Sequence, residues 1–156
     1  MNPRKFALYG GIVMLGMGVV SLIPNLVGSL DGLPVLNLNQ SYGNFLNLFP
    51  MNIVNKVLLV IFGVAGIWAA NLKGNSLPRS ILFSRVVFFV MGAAAILGLF
   101  PQTNTFFGYW PLFGFEALAH MVFAVLGLYF GYALSQKANE KFKNNPNLRT
   151  AVNTRI

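Results

Sequence analysis

The chain has no cysteine and only three acidic residues, Asp31, Glu116 and Glu140, in 156 positions. The first absence excludes disulfides, thiolate metal sites and thiol nucleophiles. Charged residues of both signs make up 9% of the chain, against roughly 25% in soluble domains. So few charges cannot cover the surface of a soluble protein of this size, so most of the chain is expected to face lipid. A single histidine, His120, leaves no cluster with metal-ligand spacing. No phosphate loop, serine triad or pair of acids is found, and Gly16-x-Gly18 has no strand before it to make a dinucleotide fingerprint. No catalytic residue and no metal site is expected, and the protein is read as not an enzyme.

What is abundant is apolar, at 56% of residues. Four stretches, 6–24, 51–72, 78–100 and 114–135, are long and apolar enough to be read as membrane-spanning helices. The first follows a basic head, Arg4 and Lys5. That pattern also fits a signal peptide, but the run ends in Leu22-Ile23-Pro24 without a small-x-small cleavage site, and a retained helix is expected. The connection 25–50 carries one charge, Asp31, and an aromatic part in which Tyr42, Phe45 and Phe49 suggest a short interfacial helix. An irregular loop folded over the helices is the alternative. Gly74 suits a helix C-cap, and Pro78 suits the first turn of the next helix. The tail, 136–156, is polar and basic.

The two halves echo one another. A shift of 64 places Leu48 on Leu112, Asn52 on Glu116, Lys56 on His120 and Gly63 on Gly127. A shift of 77 places Met14 on Met91 and Pro24 on Pro101. The fold class expected is therefore all-α: an integral membrane four-helix bundle built from two helical hairpins in parallel repeat.

Ten of the eleven Lys and Arg lie in the head, around the middle turn, or in the tail; Lys56 is the exception. The positive-inside rule then puts both termini and the middle turn in the cytoplasm of a bacterial inner membrane or thylakoid-type membrane. Tyr109 and Trp110 would form an outer aromatic girdle, and Trp68 and Tyr132 an inner one. The net charge of +8 flanks apolar spans rather than forming a face, so nucleic acid is not an expected partner. Membrane lipids and other membrane subunits are.

Asn52, Asn55, Lys56, Glu116 and His120 sit near the outer ends of the second and fourth spans. An ionised side chain at the centre of a spanning helix costs roughly 2.5–3.5 kcal/mol, so such groups have partners or purposes. One reading is a polar pocket for a proton, ion or ligand. A second makes His120 an axial ligand to haem or chlorophyll. The third is structural: Lys56 pairs with Glu116, directly or through one water, with His120 and the amides beside them. Gly127-x-x-x-Gly131, Ala65-x-x-x-Ala69 and Ala94-x-x-x-Gly98 let backbones approach closely, which is read as packing among the chain's own helices.

Leu99-Phe100-Pro101, Asn104-Thr105-x-Phe107-Gly108, Pro111-Leu112-Phe113-Gly114, then Glu116, Leu118 and His120, and last Tyr129-Phe130-Gly131, resemble the second hairpin of a bacterial and cyanobacterial family. It comprises small four-helix integral membrane proteins known only as a domain of unknown function. Phe49-Pro50-Met51-Asn52 and the downstream Gly63 are similar to its first half, and the resemblance spans about 6–134. The family often has histidine where this chain reads Asn55-Lys56, so a matched histidine pair is absent here. The resemblance implies fold and location and no activity. The function expected is a non-enzymatic accessory or structural subunit of a larger membrane assembly. The rival is a small transporter or proton or ion conduit using Lys56, Glu116 and His120, and a pigment- or haem-bearing subunit is a third.

Overall fold

The computed structural model describes residues 2–73 and 76–134. The tail 136–156 and the C-cap at Gly74 lie outside the described residues. Four helices account for most of the rest: α1 (Pro3–Val20), α2 (Ile53–Asn71), α3 (Ser76–Gly98) and α4 (Phe115–Leu128), which runs on through a π-helical turn, Tyr129–Ala133. Three segments, Ile53–Asn71, Ser76–Gly98 and Phe115–Ala133, are long and apolar enough to cross a membrane. The 18 residues of α1, which include Arg4 and Lys5, are not among them.

The helix ends follow their caps. The Asn2 side chain accepts from the Lys5 amide and Pro3 fills the first turn, so α1 starts three residues before the apolar run does. It stops at Val20, and a 3₁₀ turn, Pro24–Leu26, follows. At the other hairpin, Asn52 closes a capping box with Asn55, which fixes the start of α2 at Ile53 rather than at Met51.

The connection before α2 corrects the expected interfacial helix. Residues 42–49 do not form one. Gly43–Phe45 (β1) and Phe49–Met51 (β2) pair as a small antiparallel hairpin, with Phe45 opposite Phe49, and Val27 bridges to Phe45. Leu46 and Asn47 between the strands have φ of 52° and 55°. Two consecutive left-handed residues reverse the chain and cannot continue a right-handed helix.

Within each hairpin the helices pack along their length. Between hairpins, α1 meets α3 and α2 meets α3 over much less of it. Glycine sets the difference. A Cβ on Gly63 would lie 2.5 Å from the Leu15 amide nitrogen of α1, and one on Gly127 would lie 2.7 Å from Phe88 N and Ser84 O of α3. No other residue permits such approach. The core between the hairpins is apolar: Phe6 stacks on Phe130 at 5.0 Å and meets Phe83 at 6.4 Å, with Val87, Met14 and Met91 around them.

Candidate functional site

The two long connections meet at the end of the molecule where α2 and α4 begin, and Asn52 joins them. Its side-chain oxygen caps Val54 N, while its amide nitrogen donates to Leu38 O at 3.0 Å and Tyr109 O at 2.8 Å. Asn55 accepts from Asn52 N and donates to Pro111 O at 3.1 Å. Backbone bonds add to the tie, Leu38 N to Gly108 O and Ile53 N to Gln40 O, as does Asn37 Nδ2 to Phe107 O. The connections are thus held as one cap. They hold Ser41, Phe106 and Phe107 at positive φ (56°, 45° and 59°), a conformation that bulky residues adopt at a cost.

Lys56 is 1% exposed, and its ammonium donates to Ser41 O at 2.9 Å and Ser41 Oγ at 2.7 Å. This corrects the expected pair with Glu116. Among the described residues no lysine or arginine lies within salt-bridge distance of that carboxylate; its neighbour is His120 Nε2 at 3.8 Å, one turn along α4. A carbonyl and a hydroxyl of the cap take two of the ammonium's three donors. Lys56 lines a separate groove with Leu22, Val57 and Val60.

Asn55, Glu116 and His120 do come together, around a cavity inside the helices that leaves ≈ 40 Å³ for the centres of water molecules. A single water needs roughly 10–15 Å³ by that measure, so about three fit. Three buried polar atoms around this space have no partner: Trp110 Nε1, Glu116 Oε1 and His120 Nδ1. An unpartnered buried polar atom costs about 1–3 kcal/mol, so water or a small polar ligand in the cavity is the physical remedy. The indole of Trp110 stands edge-on to His120 at 6.0 Å. Met14, Met17, Met51 and Met91 line much of the rest, together with Leu58, Leu59, Phe62 and Phe123.

Sequence reasoning missed Trp110, Ser41 and the four methionines. The alignment of Met14 with Met91 was the one signal for the methionines; nothing in the sequence signals that Ser41 folds back onto Lys56. The space beside His120 inside the helices is far smaller than a haem or chlorin ring. Among the described residues no three His, Cys, Asp or Glu side chains form a metal group.

No curated protein and no solved structure matches the chain. A family model does, over residues 4–133, which takes in all four helices, both connections and every residue of the cavity. The chain belongs to the family described as a domain of unknown function, DUF4383.

Proposed function

We propose that the chain is a non-enzymatic integral membrane protein that serves as an accessory or structural subunit of a larger membrane assembly. In this reading all four helices span, both termini and the α2–α3 turn are cytoplasmic, and the cap faces outward. The observation that carries it is where the polar side chains go. Asn52, Asn55 and Lys56 bond to the backbone of the connections, so they build a cap and do not line a path. Below the cavity lies the apolar core of Phe6, Phe83, Val87 and Phe130. The serines at that depth bond to helix carbonyls, Ser84 Oγ to Ser80 O at 2.8 Å and Ser80 Oγ to Ala69 O at 3.4 Å. The surface left for a partner is apolar along all four helices and at the cap tip, where Val35 is 97% and Phe107 71% exposed. The repeat of two hairpins is supported by Gly63 and Gly127, 64 positions apart, which each make the close approach to the partner helix.

The unpartnered Trp110, Glu116 and His120 atoms favour a second reading, a proton or ion conduit, because they make a polar stopping place inside the membrane. The apolar core beneath it argues for a closed chamber instead. Reconstitution into liposomes separates the two. The accessory reading predicts proton and cation leak equal to that of empty liposomes, and co-purification with other membrane proteins after mild solubilisation and cross-linking. Leak above that level, abolished by Glu116→Gln, would establish the conduit.

A further inference from the structure

The hairpins are sealed along their length by close helix contact, but the seam where α2 passes α3 is open on its outer side. Ala65 and Ala69 on α2 and Leu82 and Val86 on α3 line a groove that leaves ≈ 300 Å³ for water-sized spheres, several times the room in the polar cavity. It runs along α2 from Ile61 to Ala69, about 12 Å at 1.5 Å per residue. Both walls belong to segments apolar enough to cross a membrane. Inside a bilayer an apolar groove is filled by hydrocarbon rather than by water.

The mouth of the groove is not apolar. Arg79 lines it, with its guanidinium carbon 6.0 Å from the ring of Trp68. Among the described residues the other two arginines have their Nε atoms engaged, Arg4 with Ala70 O at 2.8 Å and Arg85 with Gly131 O at 3.0 Å. Arg79 makes no hydrogen bond among the described residues. It stands in the first turn of α3, where backbone N–H groups and the helix dipole add to the attraction for an anion. A guanidinium fork at the end of an apolar groove matches the chemistry of a phosphate esterified to a lipid.

We propose that the α2–α3 groove seats one acyl chain of an anionic glycerophospholipid whose headgroup phosphate is held by Arg79. The proposal rests on the reading of the chain as a membrane protein and deepens it by naming a lipid class and its place. Trp68 and Trp110 are the two tryptophans, so Trp110→Phe leaves Trp68 as the sole strong fluorophore, at the groove. The Trp110→Phe protein is reconstituted in phosphatidylcholine containing an equal fraction of either brominated phosphatidylcholine or brominated phosphatidylglycerol. Bromine on the acyl chain quenches an indole it touches. The expected result is a preference for phosphatidylglycerol of roughly fivefold, the size of one basic side chain at an anionic surface. It should persist in part with Arg79→Lys and fall to parity with Arg79→Gln. Equal quenching by both lipids, or a preference that survives Arg79→Gln, overturns the lipid site and leaves the membrane reading intact. Absence of quenching by either lipid overturns both.

Discussion

The two ends of the molecule use polar residues in opposite ways. At the cap end, Asn52, Asn55 and Lys56 are buried and each bonds to backbone far away in sequence. At the basic end, Arg4 and Arg85 each reach one carbonyl of a neighbouring helix, and Arg79 lies exposed over Trp68. The difference is one of desolvation. A buried amide or ammonium must be satisfied by protein, so it dictates the path of the connections. A long basic side chain at a helix end can keep its head at the membrane surface and dictates little.

The comparison is broken most directly at Asn52. Asn52→Ala removes a helix cap and leaves Leu38 O and Tyr109 O without their donor, a loss of roughly 3–5 kcal/mol; thermal denaturation in detergent would measure it. Lys56→Met should follow, at about 1.5–3 kcal/mol for a hydrogen-bonded charged group. Because Ser41 and not Glu116 is its partner, Glu116→Gln should not rescue it. Gly63→Ala sharpens the contrast from outside: the added methyl meets the α1 backbone, costs about 1–3 kcal/mol, and loosens both ends alike.

Two smaller effects complete the series. Burial raises the Tyr42 phenol above its ordinary value of 10.0, and its hydroxyl donates to Pro34 O at 3.1 Å. The folded state disfavours the phenolate, so this contribution is fully present below pH 10 and is lost as pH rises past it. Tyr42→Phe should cost about 1 kcal/mol at neutral pH and remove that part of the alkaline dependence, followed by melting temperature against pH. Arg79→Gln should change stability by less than about 0.5 kcal/mol.

The same contrast explains what was legible in the sequence. Four helices were, and three of them are long and apolar enough to span, because apolar length is a local property; the starts of α1 and α2 shifted by three and two residues where Asn2, Pro3 and Asn52 act as caps. Asn55, Glu116 and His120 were legible as a group, since polar residues at matching depths of two spans face one interior space when the hairpins pack. The partner of Lys56 was not. Opposite charge pointed to Glu116, whereas the ammonium is met by Ser41, whose position depends on how the whole connection folds. The hairpin was hidden for a similar reason: Tyr42, Phe45 and Phe49 read as an interfacial face, while the turn rests on the left-handed Leu46 and Asn47. Trp110 and the methionines entered the cavity from separate elements, and apart from the shift that aligns Met14 with Met91 no spacing in the sequence joins them.

The central claim is that one buried side chain ties both connections into a single cap. Amide hydrogen exchange on the protein in detergent, wild type against Asn52→Ala, tests it. The account predicts that residues 38–51 and 104–112 lose protection together, while the helix interiors keep theirs and Arg79→Gln changes neither segment. Loss of protection in one connection alone, or in neither, would contradict it.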